Sequence, residues 1–214
     1  MTEFLDTFLL TYAALFPIVN PVGSAPIFLG LTRSISDAER HALARRVAIS
    51  SFVLLLGSLV IGSHVLGFFG ISLPVVRIGG GLVVTVFGWK MLNSDERPDR
   101  EAAGTAKTVP DAFYPLTMPL TVGPGSMSVA ITLGSQRPKL LDLPHLLLLG
   151  GAAIAGLIAI AATIYLCYRL AEDGVAKLGS AGVNVVVRLS AFILLCIGIQ
   201  IMWGGWSELT AIAH

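Results

Sequence analysis

The stretch Phe16-Pro17-Ile18-Val19-Asn20-Pro21-Val22-Gly23-Ser24-Ala25-Pro26 sets three prolines, an asparagine and a glycine inside an apolar run. A proline within a helix removes one donor and crowds the carbonyl four residues back, at a cost of ~3 kcal/mol. Three close together predict a broken helix. The surrounding run, Phe8–Leu31, is nevertheless apolar enough to cross a membrane, whose ~30 Å hydrocarbon core takes about 20 helical residues. Unpaired backbone groups cost several kcal/mol each in hydrocarbon, so an irregular segment at that depth persists only where protein, a cavity or a ligand meets it.

A second stretch of the same character follows in the other half of the chain. Within Phe113–Leu133 lie Pro115 and Pro119-Leu120-Thr121-Val122-Gly123-Pro124-Gly125-Ser126. Pro17 and Gly23-Ser24 recur there, at one constant offset, as Pro119 and Gly125-Ser126. At a second offset Val75-Val76-Arg77 and Met91 recur as Val186-Val187-Arg188 and Met202. The remaining apolar runs are Val47–Phe69, Leu73–Leu92, Leu146–Leu170 and Val185–Trp203. A repeat with an odd number of spans places its second copy upside down in the bilayer, as in many secondary transporters. The expected fold is therefore an all-α integral membrane protein of six transmembrane helices. They form two inverted three-helix repeats, residues 1–92 and 111–214, with helices 1 and 4 discontinuous. Residues 93–110 are polar, carry both signs of charge and contain Gly104 and two prolines, and read as a cytoplasmic linker.

Composition agrees. Of 214 residues 55% are hydrophobic and 13% charged, against roughly 25% charged in soluble domains. The runs are continuously apolar and do not alternate, which argues against a β-barrel. Glu3 and Asp6 precede the first run, where a secretory signal would carry positive charge, so that run is expected to remain in the mature protein. Cys167 and Cys196 fall inside spans without metal-ligand spacing and read as packing residues. A net charge of +1 without a basic face gives no nucleic-acid reading.

Orientation follows from loop charge. Arg33, Arg40, Arg45, Arg46, Lys90, Arg97, Arg100, Lys107, Arg169 and Lys177 fall on one side, against Arg137 and Lys139 on the other. The rich side is expected to be cytoplasmic, so both termini face the periplasm or exterior. Trp203 and Trp206 then belong to the outer aromatic belt and Trp89 to the inner one.

The broken helices carry definite chemistry. A half-helix beginning after Asn20 or Gly123 presents unpaired N–H groups and a positive dipole end, suited to a carboxylate. A half-helix ending before the break presents carbonyls, suited to an ammonium group or a coupling cation. The candidate binding residues are Asn20, Pro21, Gly23, Ser24, Thr121, Gly123, Pro124, Gly125 and Ser126. For Asn20 a helix cap and a ligand contact are both open.

At these residues the chain resembles the MarC family of bacterial inner-membrane proteins, also described as the neutral amino-acid transporter family. The resemblance runs through Phe16-Pro17-Ile18-Val19-Asn20-Pro21-Val22-Gly23, Pro26-Ile27-Phe28, Arg77-Ile78-Gly79-Gly80-Gly81, Pro115-Leu116, Pro119-Leu120 and Gly123-Pro124-Gly125. It implies a six-helix carrier in the inner membrane that moves small neutral amino acids such as glycine or alanine, with the broken first and fourth helices forming the site.

Arg77 and Arg188 would each cost ~2.5–3.5 kcal/mol at a helix centre, and near helix ends they snorkel or serve as gates. Each is expected about four residues inside its helix start. No Asp or Glu lies deep in a predicted span, so a carboxylate proton relay is not expected. A coupling proton would need His64, the substrate or a water chain, and a sodium ion is the other coupling candidate. Glycines such as Gly79-Gly80-Gly81, Gly62 and Gly156 are read as helix-packing residues. No paired carboxylates, His–Cys cluster or activated nucleophile points to an enzyme, and no metal or cofactor is expected. The leading reading is an alternating-access carrier. A selective channel is the first alternative, and a non-transport membrane protein linked to stress or drug response the second.

Overall fold

A computed structural model describes residues 2–93, 111–135 and 143–212. The linker proposed for 93–110, apart from Asn93, lies outside the described residues, as do Arg97, Arg100, Lys107, Arg137 and Lys139.

The described residues are helical, with one isolated bridge between Asp111 and Pro115. The helices are α1 (Thr2–Val19), α2 (Pro21–Leu31), α3 (Asp37–Phe68), α4 (Leu73–Asn93), a π-helical turn (Leu116–Thr121), α5 (Pro124–Ser135), α6 (Leu143–Arg169) and α7 (Ala171–Ile212). Five of them, α1, α3, α4, α6 and α7, are individually long and apolar enough to cross a bilayer. The protein is thus a multi-pass integral membrane protein. The fourth expected span contributes no such helix, because its break leaves a six-residue π turn and the 12-residue α5.

Both interruptions fall where the prolines require. Pro21 has no N–H to return to the carbonyl of Pro17, and Pro124 none for Leu120. Two further boundaries differ from expectation. The last span was expected at Val185–Trp203, whereas α7 runs to Ile212 and starts at Ala171, passing through Gly179 at φ 66, ψ 174. Only glycine holds that conformation cheaply. Gly179 thus divides α7 into two helical segments, and Arg188 sits about two turns into the second, deeper than expected, while Arg77 does lie four residues into α4.

Packing divides the molecule into two cores. Leu15, Val19, Phe28, Val47, Leu55, Leu116, Leu157 and Ile164 join α1, α2, α3, α6 and the π turn. A smaller cluster of Val84, Met91, Ala191 and Leu194 joins α4 to α7. The α4–α7 contact is the most extensive in the molecule's described part, and it is close: a Cβ added at Gly81 would stand 2.7 Å from the Gly198 carbonyl, and one at Gly88 2.7 Å from the Leu195 amide. Between helices in lipid, association relies on such close packing because the tails are as apolar as the side chains. Gly80, Gly62 and Gly156 meet neighbours similarly closely, whereas Gly79, Gly57, Gly67, Gly150 and Gly151 face open space. The outer surfaces carry Val53, Ile61, Leu147, Leu189 and Trp203, as a lipid-facing surface requires.

α1 packs on α6, α3 on both α5 and α6, α4 on α5, and α2 on α7. The two broken segments meet directly, α1 packing on α5 and α2 on the π turn.

Candidate ligand site at the two helix breaks

The first break turns on one residue. Asn20 adopts the left-handed conformation (φ 48, ψ 54) that asparagine tolerates better than most residues. Its Oδ1 accepts the Gly23 amide at 3.1 Å. Its carbonyl accepts the Ser24 amide at 3.0 Å and the Ser24 hydroxyl at 2.8 Å. With Pro21 at the first helical position, where its missing N–H is no loss, the Val22 amide is left open at the start of α2, and among the described residues no donor reaches the carbonyls of Pro17, Ile18 and Val19 at the end of α1. The expectation of several free N–H groups here is corrected: Asn20 uses them internally.

The second break is built differently. Pro115 and Pro119 deny the usual four-residue bonds, and the chain widens to five-residue ones: Met118 to Phe113 at 2.8 Å, Leu120 to Pro115 at 3.3 Å, and Val122 to Thr117 at 2.8 Å. Such π turns are rare and recur at functional positions. Beyond it, the Gly123 amide donates to Ser126 Oγ at 3.1 Å, and the Ser126 hydroxyl returns to the Gly123 carbonyl at 3.0 Å. No donor among the described residues reaches the carbonyls of Leu120, Thr121 and Val122, and the amides of Gly125 and Ser126 reach no acceptor. Buried backbone groups are nearly always paired, so five unpaired ones at a single break mark a place prepared for something polar.

A cavity of about 60 Å³ opens at this point, enough to admit water or a few heavy atoms. Pro119, Leu120, Thr121, Gly123, Pro124, Gly125 and Ser126 form one wall, and Ile18, Val83, Val84, Phe87 and Leu194 form the apolar wall opposite. Among the described residues no charged side chain lines it. Of the residues expected from sequence, Thr121, Gly123, Pro124, Gly125 and Ser126 therefore meet in one cavity. Asn20, Pro21, Gly23 and Ser24 do not line it, and the first break contributes Ile18 instead.

The two breaks are linked by a residue that sequence reading missed. The Tyr168 hydroxyl, on α6, donates to Ser24 Oγ at 3.1 Å and lies 2.7 Å from Thr121 Oγ1. A tyrosine next to the charged end of an apolar helix looks like an interfacial belt residue, and nothing in its neighbours reveals this inward role.

The arginines expected as gates part company. The Arg77 guanidinium is half-buried, ion-paired with Glu208 of α7, and its Nε lies 3.4 Å from Thr132 Oγ1 of α5. Glu208 stands beyond the expected end of its span, which is why its carboxylate did not figure as a partner. Arg188 is exposed on α7, and His64 is exposed near the end of α3. Glu208→Gln leaves a half-buried guanidinium without its counter-charge. Breaking a fully buried pair costs ~3–5 kcal/mol and an exposed one 0–1, so a loss of about 1–3 kcal/mol is expected, read as a lowered melting temperature in detergent. Among the described residues no group of three or more His, Cys, Asp or Glu side chains is placed to hold a metal ion.

The profile of the MarC family of integral membrane proteins matches residues 5–210. The chain is 30% identical over 208 residues to the inner membrane protein MarC of Salmonella typhimurium, covering 94% of each. It is 30% identical over 210 residues to MarC of Citrobacter koseri, again 94% of each. With a membrane protein of Pyrococcus abyssi it shares 32% over 209 residues, 96% of each. No solved structure matches it significantly.

Proposed function

Since the chain belongs to the MarC family of integral membrane proteins, we propose that it is a secondary transporter of small neutral amino acids, of the glycine or alanine type, working by alternating access across the inner membrane. The observation that carries this reading is the set of unpaired backbone groups around an uncharged cavity. The amides of Gly125 and Ser126 suit a carboxylate at a positive helix end, and the carbonyls of Leu120 and Thr121 suit an ammonium group. A zwitterion offers both at zero net charge, which agrees with a lining free of charged side chains. The apolar wall of Val84, Phe87 and Leu194 beside so small a volume suits a small side chain.

The inverted repeat belongs to this proposal, and the helix packing supports it. Exchanging α1 with the π turn, α2 with α5, α3 with α6 and α4 with α7 turns each principal contact into another: α4–α5 becomes α7–α2, and α1–α6 becomes the π turn on α3. Residues 1–92 and 111–214 are then the two copies, giving six spans with both termini outward and the Lys/Arg-rich loops in the cytoplasm. In this reading Arg77, tied to α5 and α7, is the gate, and Arg188 anchors α7 to head groups.

Purified protein in proteoliposomes, given a panel of amino acids with proton and sodium gradients imposed separately, tests the proposal. Saturable uptake and exchange of glycine or alanine is expected. Ohmic single-channel current would replace the carrier by a selective channel, and no uptake of any amino acid would overturn it.

A further inference from the structure

Tyr168 is 1% exposed and stacks on Phe28 of α2 with ring centroids 4.3 Å apart. Its two hydroxyl neighbours each face a backbone carbonyl as well: the Ser24 hydroxyl donates to Asn20 at 2.8 Å, and the Thr121 hydroxyl to Leu116 at 2.7 Å. A hydroxyl has one proton to give and two lone pairs to accept with. Three hydroxyl protons thus serve four close contacts, and one contact always lacks a proton. With Ser24 and Thr121 committed to their own carbonyls, Tyr168 faces two acceptors of the same kind and can donate to one of them at a time.

We propose that Tyr168 is a positioning residue that shifts this one donated bond between the two breaks. Donating to Ser24, it holds α2 against α6 and frees Thr121, which lines the cavity. Donating to Thr121, it holds the cavity wall and frees the first break. Each arrangement pairs the hydroxyl with one buried hydroxyl oxygen, Ser24 at 3.1 Å or Thr121 at 2.7 Å, which makes it a two-state element of the kind that couples separated sites. The inference rests on the transport reading only in what the alternation is for. The alternation itself is a property of the hydrogen bonds.

The test separates the two. In a chain whose native cysteines are replaced, Leu194→Cys puts a single thiol in the cavity wall, at a position 1% exposed. Its labelling by a water-soluble maleimide reports opening of the cavity. Tyr168→Phe removes the shared donor and is expected to speed labelling about three- to tenfold, the range for one interhelical hydrogen bond in a membrane. Ser24→Ala removes one of the competing acceptors, commits Tyr168 to Thr121, and is expected to slow labelling. Tyr12→Phe removes a comparable α1–α6 bond, Tyr12 to Thr163 at 3.1 Å, away from both breaks, and should leave labelling unchanged. If Ser24→Ala speeds labelling as Tyr168→Phe does, or if Tyr168→Phe behaves like Tyr12→Phe, the proposal is overturned. Opposite signs for Tyr168→Phe and Ser24→Ala uphold it even if wild-type proteoliposomes take up no amino acid, an outcome that would overturn the transport reading alone. Where uptake is seen, Tyr168→Phe should change turnover more than half-saturation.

Discussion

Replacing Gly123 and Pro124 together by alanine is expected to abolish amino-acid uptake while the protein stays inserted and at least as stable. Alanine at 124 supplies the N–H that proline withholds, within reach of the Leu120 carbonyl in a continuing helix. Alanine at 123 is accommodated, since its Cβ would stand 3.6 Å from the nearest atom, the Pro119 carbonyl oxygen. The pair removes unpaired groups from the cavity wall, and each such group satisfied in an apolar setting is worth ~1–3 kcal/mol. The ligand loses partners of the same worth, so uptake should fall a hundredfold or more. Gly125 must be left as it is. A Cβ there would run into the Val84 side chain, and loss of function would then report overpacking. Uptake at the wild-type rate, with the variant folded, would show that the break only bends the chain.

Proline made the breaks legible in the sequence, because a missing N–H acts at a fixed distance along the chain. Pro21 and Pro124 mark the interruptions to within a residue. Which half-helix start is open was not legible. Both sequences carry a capable side chain, Asn20 before one half-helix and Ser126 after the start of the other. Only the folded geometry shows Asn20 occupying the amides of its own helix while Ser126 turns back on Gly123. The span of α7 was misjudged for a related reason. Glu208 lowers local hydropathy, and the Arg77 that accommodates it stands on another helix. Tyr168 is the extreme case, since its role exists only because one side chain of α6 reaches both α2 and the π turn. Local signals thus gave the elements and their interruptions, while the polar pairings between distant elements depended on packing.

The last expectation concerns the closed end. Asn20→Ala should destabilise the protein by about 2–3 kcal/mol, the sum of a left-handed alanine at ~1–2 kcal/mol and a lost cap at ~1 kcal/mol. Asn20→Gly removes the same side chain but accepts φ 48 without strain, and a glycine cap costs only a few tenths of a kcal/mol. Thermal melts of the two variants in detergent should therefore differ clearly, with the alanine variant the weaker. Uptake then distinguishes the roles left open for this residue. Since Asn20 caps Gly23 and lies off the cavity, Asn20→Gly is expected to keep most of the wild-type transport. A glycine variant that melts normally but no longer transports would make the carboxamide a ligand contact, and would move the first break from scaffold to binding site.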